Sequence, residues 1–132
     1  MKYILMMNTM KMGCEGFPGW RKKDIESHIA FMKRLNNELR ETGELISAEG
    51  LAFPEQGRLV RAGKDGMPVT DGIFPESKEF LAGFWIVDVE APERAYSIAA
   101  RASAAPGLGG APMNMTIEVR PLMSGPPDEF VS

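Results

Sequence analysis

The segment Lys2-Tyr3-Ile4-Leu5-Met6-Met7 is apolar on both alternating faces. A strand of that kind has to be covered on both sides, because neither row of side chains gains from meeting water. It belongs in the middle of a sheet. Phe84-Trp85-Ile86-Val87 has the same character, β-branched and aromatic, bounded by Gly83 and Asp88 and too short for a helix. It predicts a second central strand.

Between these strands the period of the apolar residues changes. Ile25, His28, Ile29, Met32, Leu35 and Leu39 recur at helical spacing, while Glu26, Lys33, Arg34, Asn37 and Glu38 fall elsewhere on the wheel. This predicts an amphipathic helix of about five turns, stopped at Gly43. Glu44 to Leu51 then reads as a strand, and Arg58 to Arg61 as another, turned back at Gly63-Lys64-Asp65-Gly66 toward Pro68-Val69-Thr70 as a hairpin. After the second central strand, Pro92 suits the first turn of a helix with a small-residue stripe of Ala95, Ile98, Ala99 and Ala102. A Pro/Gly-rich loop from Pro106 to Pro112 leads to a last strand from Met115 to Leu122, and residues 124–132 read as a flexible tail. The expectation is one α+β domain over residues 1–123, two β-α-β halves with a hairpin inserted between them. Two helices cover only one face of such a sheet. The other face, equally apolar, predicts burial against a second copy in a twofold homodimer.

Composition removes several classes of function. A chain of 132 residues supports one core without metal or disulfide staples. With 15 Lys+Arg against 18 Asp+Glu and no basic stripe, direct nucleic-acid binding is not expected. One cysteine, Cys14, and no signal-like opening point to a reducing, cytoplasmic setting, and no apolar run reaches membrane-spanning length. A single histidine without a cysteine pair assembles no standard zinc set, and no spaced Asp/Asn loop suggests calcium. Gly107-Leu108-Gly109-Gly110 follows a helix rather than a strand, so it is not a dinucleotide fingerprint. Neither metal nor cofactor is expected.

Two places carry chemistry. His28 falls on the apolar stripe of the first helix. It reads either as a core histidine satisfied by a backbone carbonyl or tyrosine, or as a proton-transfer group facing a cavity between helix and sheet. Asp71-Gly72 is a turn signal, yet Glu76, Lys78 and Glu79 follow within eight residues, directly before a strand that cannot carry charge inward. Such a cluster gathers at one end of the sheet, either as a solvated turn or as binding groups on a rigid frame.

The opening Met1-Lys2-Tyr3, His28, Gly43-Glu44-Leu45-Ile46-Ser47-Ala48-Glu49-Gly50-Leu51, the segment Val69 to Glu79, Gly83 to Asp88 and Glu118-Val119-Arg120-Pro121 together resemble the YCII-related family. In particular they resemble the subgroup named for its D-G-P-F motif. This chain keeps Asp71, Gly72, Phe74, Glu76, Lys78 and Glu79 of that motif, with Ile73 where proline is usual and Pro75 just after Phe74. The resemblance implies a ferredoxin-like fold with an antiparallel-rich sheet, two helices on one face and a dimeric α/β-barrel-type assembly. It also implies a helix histidine, here His28, working as an acid/base group with a carboxylate near the end of the second helix. Arg101-Ala102-Ser103-Ala104-Ala105 supplies no such carboxylate.

The reading that follows is a small-molecule-binding protein, an acid/base enzyme of lyase or isomerase type, with His28 and Asp71 as catalytic residues and Glu76, Lys78 and Glu79 as substrate-binding ones. The alternative is a non-catalytic regulatory or protein-interaction module linked to transcription through sigma factors.

Overall fold

The computed structural model describes residues 1–10, 19–52, 54–73 and 79–123, with the backbone alone at residues 9, 10, 71–73 and 79. Strand β1 (Lys2–Met10) leads to helix α1 (Lys22–Glu41), β2 (Leu45–Gly50), the hairpin β3 (Arg58–Ala62) and β4 (Pro68–Ile73), then β5 (Glu79–Asp88), α2 (Pro92–Ser103) and β6 (Ile117–Pro121). The predicted tail, residues 124–132, lies outside the described residues.

Four strands form one antiparallel sheet in the order β2-β5-β1-β6, and β3 and β4 form a separate two-stranded sheet. With the hairpin set aside, this is the strand order of a ferredoxin-like α+β fold, and it puts the two doubly apolar strands at the centre. Tyr3 pairs with Val87 and Leu5 with Trp85, so these four side chains share one face. Onto that face pack Leu35 and Leu39 of α1 and Ala95, Ile98, Ala99 and Ala102 of α2, all in one buried cluster. The small-residue stripe of α2 lets its backbone approach the sheet closely. Ile4, Met6, Phe84 and Ile86 occupy the opposite face, half-buried in the single chain and paired as Ile4 with Ile86 and Met6 with Phe84.

Helix α1 ends as its sequence predicts. Gly43 adopts φ 80°, and the N–H groups of Gly43 and Glu44 return to the carbonyls of Arg40 and Leu39, the double closure that a left-handed glycine permits. Its inward stripe, however, differs from the expected one. Ile25 and Ile29 are exposed, at 37% and 46%. Leu35 and Leu39 are buried as the stripe predicts, with His28 and Met32 half-buried, while Asp24, buried, and Phe31, half-buried, take the inward places expected of the two isoleucines. The N-terminal half of α1 overhangs the apolar core and meets the loop after α2, which presents N–H and C=O groups. Polar Asp24 and His28 therefore turn inward there and isoleucine turns out.

Candidate functional site

A cavity of about 200 Å³ lies between α1 and the sheet, lined by His28, Met32 and Asn36 from the helix and by Met7, Ala48, Gly50, Gly83 and Trp85 from the strands. Its origin is a gap in a row of side chains. On the helix-facing side of β5, Trp85 and Val87 fill the space under the helices, but two residues earlier stands Gly83, and its partner on β2 is Gly50. Neither contributes a side chain to the floor. Glu49 and Phe84 also border the space. They pair with each other one residue out of phase with Gly50 and Gly83, so they offer backbone there and send their side chains to the other face.

The polar side chains that reach this space from α1 are His28 and Asn36, one at each end of the stripe 28, 32, 36. Both are held by partners that define their chemistry. His28 Nδ1 lies 3.0 Å from the carbonyl oxygen of Pro106. A carbonyl only accepts, so Nδ1 carries the proton and Nε2 is the basic nitrogen of the neutral ring. The Trp20 ring meets the imidazole edge to face at a centroid distance of 5.7 Å. At the other end, Trp85 Nε1–H donates to Asn36 Oδ1 at 2.8 Å. An indole N–H only donates, so the amide is oriented with oxygen toward Trp85 and its NH2 group is what it has left to offer.

The loop that receives His28 closes on itself and then docks on α1. Gly107 N–H bonds to Ala111 O and Met113 N–H to Ala105 O. Asp24, one turn before His28, accepts from Gly109 N–H at 3.2 Å with Oδ1 and from Arg21 N–H at 2.9 Å with Oδ2. The second bond also caps the helix. One carboxylate therefore starts α1 and fixes the loop that orients the histidine.

The expected site residues fall as follows. His28 lines the cavity, and a backbone carbonyl rather than a carboxylate holds its Nδ1. Asp71 belongs to β4, in the hairpin that stands apart from the four-stranded sheet. Glu79 opens β5, where its backbone pairs with Met10, beyond the Met7–Gly83 pair that borders the cavity. The side chains of Asp71 and Glu79, and Glu76, Lys78, Phe74 and Cys14 altogether, lie outside the described residues. Asn36, Asp24, Pro106 and the Gly50–Gly83 pair were not singled out from the sequence. For Asn36 a signal existed: it continues the four-residue spacing of His28 and Met32 as a polar residue on an otherwise apolar stripe.

At the opposite end of the sheet, Arg94 forks onto Glu44, Nε to Oε2 and NH2 to Oε1, both at 2.8 Å, and Thr42 Oγ1 donates to the same carboxylate. The Arg94 hydrogen bonds hold the Glu44 carboxyl below the usual glutamate range. No group of three or more His, Cys, Asp or Glu poised to hold a metal ion occurs among the described residues. Nor is any described helix long and apolar enough to cross a membrane.

The fold and site define a ferredoxin-like α+β protein with an apolar, histidine-bearing cavity beneath its first helix. The chain matches the YCII-related domain over residues 1–110 and belongs to that family. The match runs from β1 through the loop that holds His28 and Asp24. No curated protein sequence matches the chain.

Proposed function

We propose that the cavity beneath α1 binds a small carbonyl-bearing or anionic molecule and that His28 moves a proton on it, as general acid/base in a lyase- or isomerase-type reaction. The observation that carries this reading is the 3.0 Å contact of His28 Nδ1 with the carbonyl oxygen of Pro106. A histidine that spends Nδ1–H on a fixed backbone carbonyl keeps its ring orientation and has Nε2 as its base, at the edge of a mostly apolar cavity. Asp71, Glu76, Lys78 and Glu79 belong to this reading as groups that orient the histidine or hold the substrate. In support, Glu79 begins β5 at the cavity end of the sheet. In this reading the chain is of the D-G-P-F subgroup of its family, supported by Asp71, Gly72, Phe74, Glu76, Lys78 and Glu79, and it works in a cytoplasmic setting, supported by its single cysteine.

The working unit is a homodimer. Ile4, Met6, Phe84 and Ile86 make an apolar strip, flanked across the strands by Ser47 and Glu49 on one side and by Glu118 and Arg120 on the other. A self-complementary contact of two such faces removes the strip from water.

A second reading, a non-catalytic interaction module linked to transcription, draws on the hairpin. All five residues of β3 are exposed, Val60 by 60%, and an isolated two-stranded hairpin is a ready surface for a protein partner.

The test is the NMR response of the one imidazole to a panel of small ketones, phenols and carboxylates, in the wild-type protein and in Gly50→Leu, which fills the cavity from its floor. Ring shifts that appear with the panel and vanish in Gly50→Leu support the site. A His28 ring indifferent to every compound removes it and leaves the interaction module.

A further inference from the structure

Asn36 carries information that its role as a partner of Trp85 does not use up. Its oxygen is committed to the indole N–H, so what it brings to the cavity is a donor. His28, with Nδ1–H committed to Pro106, brings a base. Between them the helix contributes Met32, and the sheet contributes Met7, Ala48, Trp85 and the bare backbone of Gly50 and Gly83. The donor that Asn36 brings is an uncharged amide N–H, which suits a neutral carbonyl oxygen as its partner. Thioethers and an indole face suit a flat, polarisable body.

The helix also sets a length. Eight residues at about 1.5 Å each separate the two backbones by about 12 Å, and side chains that both lean toward the helix N-terminus preserve that spacing. Two hydrogen bonds of about 3 Å each leave roughly 6 Å of ligand between the contacts. That is one ring across, not the distance between neighbouring atoms.

Resting on the proposed cavity function, we infer that Asn36 is the substrate-positioning donor of this site, and that the ligand is a planar single-ring carbonyl compound. Its carbonyl oxygen accepts from Asn36 and its labile proton, at the opposite side of the ring, faces His28.

The test uses three probes of one size: 4-hydroxyacetophenone, 4-ethylphenol, which lacks the carbonyl oxygen, and 2-hydroxyacetophenone, whose labile proton is beside the carbonyl. Binding is followed through the side-chain NH2 resonances of Asn36 and the Nε1–H of Trp85. Asn36→Asp is the informative variant, since a carboxylate oxygen still accepts from Trp85 while the donors are gone. The expected result is that 4-hydroxyacetophenone moves the Asn36 NH2 resonances and binds about tenfold tighter than the other two, the worth of one hydrogen bond. In Asn36→Asp that preference collapses while the Trp85 Nε1–H signal stays in place. Equal binding of all three to the wild type, or a preference that survives in Asn36→Asp, overturns the assignment of Asn36 and leaves the cavity function standing if the His28 ring still responds. Failure of every probe to bind, with the His28 ring unmoved as well, removes both.

Discussion

Gly50 and Gly83 face each other across β2 and β5 on the side of the sheet that carries α1, and the space they leave is the cavity. The two are not equivalent. A methyl group built on Gly83 would stand 2.9 Å from the carbonyl oxygen of Glu49, whereas one on Gly50 meets nothing within 4 Å. Gly83→Ala is expected to push β2 away from β5 and cost about 1–3 kcal/mol. Gly50→Ala is expected to stay within about 0.5 kcal/mol of the wild type. Urea denaturation of the two variants checks this, and equal losses would show that the strands do not approach as closely as described.

The grip of Asp24 and His28 on the 106–110 loop separates the structural from the chemical use of the histidine. His28→Asn retains an N–H on the short side of the residue for Pro106 and has no basic nitrogen. It should keep most of the stability while ending any proton transfer. His28→Ala should lose about 1 kcal/mol besides, and Asp24→Ala about 1–2 kcal/mol, because it removes a helix cap and the Gly109 acceptor together. Amide hydrogen exchange at Gly109 should accelerate in Asp24→Ala and stay slow in His28→Asn. Slow exchange at Gly109 in both would mean that the loop is held by something else.

Glu44 and Arg94 tie the start of β2 to the first turn of α2. Because the folded carboxyl is held below its unfolded value, the folded protein binds this proton less readily than the unfolded chain. Its stabilisation is complete above the ordinary glutamate pKa, and drains as the pH falls below that point through the depressed folded value. Glu44→Gln should therefore narrow the stability gap between neutral pH and pH 3, with a loss of about 1 kcal/mol at pH 7 for this partly exposed forked pair. Thermal melts of the two proteins across that range give the comparison, and parallel curves would count against it.

Placing a charge at Ile86, in the middle of the outer apolar strip beside Ile4, separates assembly from folding. Ile86→Glu is expected to leave the helix-covered core intact and to halve the mass seen by sedimentation equilibrium. A wild-type protein that already sediments as a monomer at tens of micromolar would end the homodimer reading.

Much of the architecture is legible in residue order. Both doubly apolar segments are central strands, the alanine stripe of α2 is buried as its spacing predicts, and Gly43 stops α1. These features depend on neighbours a few residues apart, where period and turn chemistry act directly. The face of α1 is where local reasoning fails. Ile25 and Ile29 fit a helical stripe as well as Asp24 and Phe31 do, and hydrophobicity alone prefers them. The choice was made by the loop after α2, whose amide and carbonyl groups needed partners that isoleucine cannot supply.

The candidate site divides in the same way. That His28 lies on the inward side of the helix follows from sequence, whereas the cluster Asp71, Glu76, Lys78 and Glu79, apart from the backbone of Asp71 and Glu79, lies outside the described residues. The carbonyl that sets the histidine's tautomer lies 78 residues away, and the indole that orients Asn36 lies 49 away. The cavity is made by the missing side chains of two glycines on different strands. Sequence by itself determined the elements and which residues within each share a face, because backbone geometry repeats at short range. Only the tertiary structure decided which faces meet, which polar atoms find partners, and where the packing leaves a space, because those depend on contacts between segments that no local period relates.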